Sequence, residues 1–579
     1  MIFYAKRKIK NKGIGDRSTP LIVVIFIIYG LIIFRLFYFQ VLRRDFYEAL
    51  ASRSQKLSQE LLPERGDIFV TDEENKLYPV ATNLDLYLAY GIPKYIKNPE
   101  EASKKIAATL ELPEEEVLMK LSQKNDFYEV LKHYVPKEKA EEIKSLKIEG
   151  IDFSPETKRL YPEKNYFSHI TGFLGYKGDQ KIGQYGLEES YEKILAGQKG
   201  NLKAKKSALG SLIFLSDYSI EKAKDGADLI LTINRTIQFK ACEELKNAVT
   251  AHGADRGTVI IMEPKTGKIL ALCNYPDFDP NNYQEVKTAS LFINPAISHS
   301  YEPGSVFKVI TMALALQENK VTPQTTYNDE GFVKIGEHTI KNSDGGKSGV
   351  VNMIKVLENS LNTGAVFAAR LVGQKDFKKY IEDFGFGKIT GVELPAEARG
   401  NTNSLNGKNE IYLANASFGQ GISVTPLQML NSVASIANEG KLMKPYLVDK
   451  IIYPSGETVT AEPQLLKQII SPQIANTLGA MMVSVVENGH GKKAGVKGYY
   501  VAGKTGTAQV AKEEGGGYDP NQTIGSFVGF APSEAPKFAM LVKIDHPRDV
   551  IWAESSAAPL FGKLAEFMLN YYQIPPERK

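Results

Sequence analysis

Hydrophobic and polar positions change character along the chain. Residues 21–42 are apolar apart from Tyr29, Arg35, Tyr38 and Gln40. As a helix this run would measure about 33 Å, enough for a bilayer core. Residues 47–226 are charged and changeable, with no motif that demands chemistry, and read as a spacer or interaction module. Within them Arg65-Gly66-Asp67-Ile68 predicts a turn into a short strand. Residues 99–121 predict a charged helical region with Pro113 at a helix start, and 183–200 a helix-like stretch reaching Leu195. From Asp225 the pattern sharpens. Residues 227–233 alternate as a strand, 235–249 read as an amphipathic helix, and 257–262 with 268–273 frame a Pro/Gly turn as a hairpin. A helix-rich middle follows, then strands over 499–544, with Tyr499-Tyr500-Val501 running as strand into Gly503. This order predicts an α+β domain built on one sheet. No internal repeat is visible, and Gly515-Gly516-Gly517 reads as a flexible loop.

The flanks of the apolar run set its meaning. Lys6, Arg7, Lys8, Lys10, Lys12 and Arg17 precede it, with Asp16 the acidic exception. The positive-inside rule keeps that end in the cytoplasm and sends the chain after Leu42 outside. Ala49-Leu50-Ala51 resembles a signal-peptidase site, but Arg43, Arg44 and Asp45 separate it from an apolar run too long for a signal peptide, so an uncleaved anchor is expected. Arg35 would face a partner helix or snorkel outward. At 579 residues the chain exceeds one hydrophobic core, and a net charge of +4 over that length gives no basis for nucleic-acid binding. The seven histidines are scattered and no metal-ligand spacing occurs, so neither metal nor cofactor is expected. Cys242 falls in a helix-like run and Cys273 in a strand-like one, which predicts separate small buried side chains rather than a disulfide.

The chemistry begins at Pro303-Gly304-Ser305-Val306-Phe307-Lys308. Pro and Gly position a helix start, and the helix that follows is apolar nearly all round, so it belongs in a domain centre. A lysine in its first turn is costly unless it is partnered or neutral. Ser305 and Lys308 stand at i and i+3 on one face. A desolvated lysine near another cation has its pKa lowered far enough to take a proton from serine. Ser360-x-Asn362 alone reads as a cap or turn, but beside such a pair it offers a proton-relaying hydroxyl and an amide to grip a peptide carbonyl. In Lys504-Thr505-Gly506-Thr507, Lys504 and Thr505 suit a terminal carboxylate, and Gly506 removes a side chain where a substrate backbone would approach. The backbone N–H groups of Ser305 and Thr507 would then form an oxyanion hole. Residues 498–505 also satisfy the phosphate-loop pattern letter by letter, but the run is strand-like and Gly506 spoils the helix that should follow, so a nucleotide site is rejected.

Ser305-x-x-Lys308, Ser360-x-Asn362 and Lys504-Thr505-Gly506, in this order, resemble the motif trio of penicillin-binding proteins and serine β-lactamases. Tyr301-Glu302-Pro303-Gly304, residues 417–426 and Val528-Gly529-Phe530-Ala531-Pro532 are similar to class B penicillin-binding proteins, more of the division than the elongation type. The resemblance implies a cytoplasmic tail over 1–20, an anchor over 21–42, a non-catalytic pedestal over 43–224 and a transpeptidase domain over 225–579. That domain would be an antiparallel sheet flanked by helices with a helical subdomain. The pedestal would carry Arg65-Gly66-Asp67-Ile68 and Gly186-Leu187-Glu188. The family's acidic-Arg-Asn-Gly continuation is replaced here by residues 69–75. No glycosyltransferase domain fits before the pedestal, and no repeated module follows Phe567.

By resemblance, Ser305 attacks a D-Ala-D-Ala stem peptide with Lys308 as base, and Ser360 and Lys504 complete the proton network. Lys504, Thr505 and Thr507 hold the carboxylate and Asn362 the substrate amide. An amine from a neighbouring stem resolves the acyl-enzyme, and β-lactams acylate the same serine. The implied partners are peptidoglycan stem peptides, a polytopic membrane glycosyltransferase and other division proteins. An elongation-type enzyme, a D,D-carboxypeptidase and a β-lactamase share the trio. A β-lactam sensor would need further membrane helices and an effector, and a bare scaffold would need a degenerate trio.

Overall fold

The computed structural model describes residues 19–38, 56–124, 126–178, 180–206, 212–213, 219–511 and 517–578. It divides into a unit of Met1–Pro63 with Gln198–Lys224 and a unit of Glu64–Gly197 with Asp225–Lys579. In the first, Lys56–Leu61 and Ser219–Glu221 pair antiparallel with the intervening strand Gly200–Lys206. This unit also holds a helix over Thr19–Phe37, whose large apolar side chains are exposed. Nineteen residues make about 28 Å of helix, short of the span expected for 21–42. Among the described residues no helix is long and apolar enough to cross a membrane. Residues 39–42, the basic flank over 6–17 and Ala49-Leu50-Ala51 lie outside the described residues, as do Gly515 and Gly516 of the expected flexible loop.

The second unit is organised by a five-stranded antiparallel sheet in the order Ile269–Tyr275, Arg256–Met262, Phe538–Asp545, Tyr518–Ala531, Ala502–Ala511. Side chains alternate across a strand with period two. Val259, Ile261, Met540 and Val542 pack with the helices Arg235–Ala251 and Ala557–Tyr571. Ile260, Met262, Ala539 and Leu541 belong to the larger core with helices Lys308–Gln317, Pro426–Ala437 and Pro472–Asn488. Both faces are covered, which is why these strands read as unbroken apolar runs. Helices Met353–Glu358, Asn362–Val372, Gln374–Asp383 and Glu410–Ser417 form the helix-rich middle.

A second sheet runs Thr458–Thr460, Val448–Ile452, Asp228–Asn234, Ile68–Thr71, Leu77–Gly91, Glu129–Val135, with Ile151–Leu160 also on Leu77–Gly91. Ile68–Thr71 lies parallel to Asp228–Asn234. No turn forms at the expected place; instead the chain before the strand passes close at Gly66, where a Cβ would meet the Ala227 carbonyl oxygen at 2.0 Å. The charged stretch expected over 99–121 is a pair of helices, Pro99–Leu110 and Glu114–Leu121, with Pro113 as N-cap of the latter. Glu188, with no exposed surface, accepts from Arg65 (2.7 Å), Arg159 (2.8 Å) and Tyr161 (3.2 Å). The two sequence motifs of this region therefore meet in a buried ion network, and Arg159 supplies a guanidinium that no local pattern announced. Removing one member would strand a buried charge, a loss of about 3–5 kcal/mol.

Cys242 and Cys273 form a disulfide, their Cα atoms 5.2 Å apart, which corrects the expectation of separate thiols. The helix Arg235–Ala251 docks on the strand in register, because Gln238 bonds both the N–H and the carbonyl of Leu272, each at 2.9 Å. That leaves the cysteine one turn later facing Cys273. The bridge closes a sequence separation of 31, and a loop of this size contributes about 2–4 kcal/mol. The Cys242→Ala/Cys273→Ala double variant is expected to lose about that much unfolding free energy, read as a lower urea midpoint, and reductant should shift the natural chain likewise. Unchanged midpoints in both experiments would count against the bond.

Candidate active site

Residues Gly304–Phe307 form a 3-10 turn that continues into the α-helix Lys308–Gln317. Ser305 therefore sits on the tighter turn, where positions three apart eclipse, and Lys308 opens the α-helix, in its first turn as expected. Residues 308–316 are all buried, as the apolar pattern requires. Lys308 is 1% exposed, and its Nζ donates to the Ser360 carbonyl and, at 3.2 Å, to Ser360 Oγ. Lys504, fully buried in the interior of Ala502–Ala511, donates to Ser360 Oγ at 3.0 Å and to its neighbour's carbonyl, Thr505 O, at 3.1 Å. Two lysines thus meet on one serine. Ser360 adopts φ 55°, in the left-handed region, between helices Met353–Glu358 and Asn362–Val372. Non-glycine residues reach that region at a cost and persist there where the surroundings over-determine them. Here the lysines bind both its carbonyl and its hydroxyl.

Burial pushes the Lys308 ammonium well below its ordinary pKa, and the Lys504 charge pushes in the same direction. Burial brings Lys504 down to about 7. Both effects penalise the cationic form, so Lys308 is poised as a base.

Ser305 lies where two cavities meet. One, of about 760 Å³, is lined by Asn362, Lys341 and Tyr412 among others. The other, of about 280 Å³, is lined by Ser360, Thr505, His490 and Glu554 among others. Ser305, Ser343, Thr507 and Trp552 line both. Asn362 Nδ2 donates to the Lys341 carbonyl at 2.8 Å, which leaves its Oδ1 and a second N–H to a ligand. Thr507 Oγ1 accepts from the Ala553 N–H at 3.1 Å, so that hydroxyl already holds a loop.

The expected strand over 499–501 begins only at Ala502, after a turn at Gly498 (φ 90°). Lys504 is inside a strand with no helix after it, which removes the phosphate-loop geometry. Gly506 serves packing in this structure rather than substrate approach. A Cβ there would lie 2.8 Å from Val306 Cγ1 and Ser526 Oγ and 3.0 Å from the Pro303 carbonyl oxygen. The missing side chain lets the edge strand lie against the serine-bearing turn.

The run 417–424 serves that turn from the other side. Gly304 (φ 61°) donates to Gly419 O at 3.1 Å, and a Cβ on Gly419 would meet Gly304 O at 2.3 Å. Gly421 donates to Glu302 Oε1 at 2.9 Å, and Thr311 Oγ1 to Ser417 O at 2.7 Å. Trp552, His490 and Glu554 carried no signal in the sequence, because their proximity to Ser305 comes only from long-range folding. Gly506→Ala is expected to push the turn off the strand, slowing modification of Ser305 by a β-lactam at least tenfold with little loss of overall fold by circular dichroism. An unchanged rate would show that the contact is slack.

Comparison with known proteins matches residues 257–566 to the penicillin binding protein transpeptidase domain and residues 60–231 to the penicillin-binding protein dimerisation domain. The chain is 34% identical over 563 residues to stage V sporulation protein D of Bacillus subtilis, covering 95% of this chain and 86% of that protein. It is 29% identical to the probable peptidoglycan D,D-transpeptidase PenA of Neisseria meningitidis, covering 97% and 94% respectively. The crystal structure of penicillin binding protein 2X from Streptococcus thermophilus shares the fold with a TM-score of 0.77 at 24% identity, over 89% of this chain and 80% of that one. With both domains matched in this order and a relative above 30% identity along nearly its whole length, the chain belongs to the class B penicillin-binding proteins.

Proposed function

We propose that this protein is a peptidoglycan D,D-transpeptidase that cross-links stem peptides through an acyl-enzyme on Ser305. The observation that carries this reading is the convergence of Lys308 and Lys504, both desolvated, on Ser360 beside the cleft that Ser305 lines. Lys308, held below its ordinary pKa, takes the Ser305 proton. Ser305 Oγ bonds to the carbonyl carbon of the penultimate D-Ala, and the Ser305 and Thr507 N–H groups steady the oxyanion. The peptide C–N bond breaks and the proton returns, through Ser360, to the departing D-Ala amine. Lys504, Thr505 and Thr507 hold that residue's carboxylate, and Asn362 holds the donor peptide in the larger cavity. An amine from a second stem then takes the acyl group. A strained β-lactam amide follows the first half of this path and stops.

The organisation that fits this activity is a tail over 1–20, a single-pass anchor over 21–42, a pedestal over 43–224 and a catalytic domain over 225–579 outside the cytoplasm. The apolar, exposed face of the helix Thr19–Phe37 supports the anchor, and the Cys242–Cys273 bridge supports an oxidising compartment. The segments 301–304 and 417–426 favour the division septum, with a polytopic glycosyltransferase as partner. An elongation role or a carboxypeptidase would use the same residues.

Full-length protein in detergent, treated with a β-lactam and digested, is expected to carry a long-lived adduct on the Ser305 peptide, absent in Ser305→Ala. Rapid release of hydrolysed drug would point to a β-lactamase instead. Lys308→Arg, which fixes a charge where a neutral base is needed, should slow acylation by about 10²–10⁴-fold.

The two lysines also set the pH dependence. Lys308 is a base only while neutral, so the acylation rate constant should fall as acid protonates it. Lys504 holds a carboxylate only while charged, so affinity for carboxylate-bearing β-lactams should weaken as pH rises through about 7. Lys504→Met should remove the affinity limb and keep the rate limb, moved to higher pH because the Lys504 charge no longer depresses Lys308. A single limb in both parameters would contradict this division of roles.

A further inference from the structure

The smaller cavity contains a pair that the steps above do not use. His490 follows the helix Pro472–Asn488, and its N–H donates to the Glu358 carbonyl at 3.2 Å, two residues before Ser360. Gly489 makes that approach possible, since a Cβ there would meet Glu358 O at 2.5 Å. Glu554 belongs to the loop that hangs on Thr507 Oγ1 through the Ala553 N–H. These anchors bring His490 Nδ1 to 3.3 Å from Glu554 Oε2. The pair is thus tied to the two backbone segments that carry Ser360 and Thr507, and it lines one cavity with Ser305, Thr505 and Asp344. Its side chains are 54% and 38% exposed, and a polar contact so open to water adds little to folding stability.

The transpeptidase reading assigns this lobe a task. Attack by an acceptor amine reverses departure of the leaving amine, so the acceptor must enter where the terminal residue left, on the Thr505 side of Ser305. An alkyl amine arrives as an ammonium ion at neutral pH and has no lone pair until it loses a proton. Lys308 and Ser360 are then engaged with the Ser305 ester. A carboxylate on Nδ1 makes that nitrogen the donor and leaves Nε2 as the proton acceptor. Glu554 and Asp344 also give the lobe the negative charge that draws a cation.

We propose that His490 is the general base for the acceptor amine in the deacylation half-reaction, with Glu554 as its positioning residue. The acceptor ammonium passes a proton to His490 Nε2, and the neutral nitrogen bonds to the acyl carbon. The amine's second proton travels through Ser360 and Lys308 to Ser305 Oγ as the C–Oγ bond breaks. The products are a new amide, free Ser305 and one proton, which His490 releases to water. Acylation by a β-lactam releases no free amine and needs none of this, so that reaction is indifferent to the pair.

The test rests on the transpeptidase reading and separates the two. Full-length protein, His490→Gln and Glu554→Gln are acylated with a β-lactam and, separately, with a thioester analogue of the stem peptide at pH 7. Transfer to D-alanine is then measured against transfer to hydroxylamine, which is already neutral at that pH. β-Lactam acylation of Ser305 is expected to stay within about twofold of the natural chain in both variants. Transfer to D-alanine should fall about 100-fold in His490→Gln and less in Glu554→Gln, while transfer to hydroxylamine is unchanged. Equal slowing of both acceptors would mean that His490 only shapes the lobe, and undiminished transfer to D-alanine would remove it from the reaction. Both outcomes overturn the proposal and leave the transpeptidase reading intact. If the natural chain is not acylated on Ser305, that reading fails and this one with it.

Discussion

Two lysine ammonium groups stripped of water and aimed at one serine side chain are the constraint around which this site is built. Burying a cation is costly unless it is hydrogen-bonded or neutral. The protein answers with both devices, giving each lysine bonds to Ser360 while lowering its pKa. Water would undo this arrangement by restoring the ordinary basicity of both groups. The helix Lys308–Gln317 must therefore be buried on every side, the strand at Lys504 must close against the serine turn, and Ser360 must hold a left-handed backbone.

The scaffold meets these demands with rigid elements. The turn that carries Ser305 stands between an edge strand and the run 417–424, and glycines at 304, 419 and 506 remove the atoms that would keep these three pieces apart. The sheet behind the edge strand is covered on both faces by apolar packing, so the position of Lys504 follows from a core and not from a loop. The loop residues at the cleft, including Ala553 on Thr507, are then referenced to that strand. This arrangement sets the buried lysine pair beside a lobe whose His490 and Glu554 side chains are open to water.

The same economy appears in the region before Asp225. Glu188 draws Arg65 and Arg159 into a buried cluster, while Ile68–Thr71 joins the sheet of Asp228–Asn234. A strand shared in this way ties residues on either side of a sequence boundary into one hydrogen-bonded sheet, so composition alone marks that boundary more sharply than the backbone does.

By itself the sequence determined the reaction class and the α+β order of elements, and it pointed to three motifs, Ser305-x-x-Lys308, Ser360-x-Asn362 and Lys504-Thr505-Gly506, because local spacing and apolar periodicity are properties of neighbouring residues. It also pointed to strand and helix at 227–273 within a few residues of where they lie. Only the tertiary structure decided that Cys242 faces Cys273, that Gly506 spares a contact with Val306, that Arg159 completes the Glu188 cluster, and that His490 meets Glu554 beside Ser305. Each of these depends on residues distant in the chain brought together by sheet register and helix docking. A one-dimensional pattern carries no record of such distances, since the burial that enforces them is summed over the whole core.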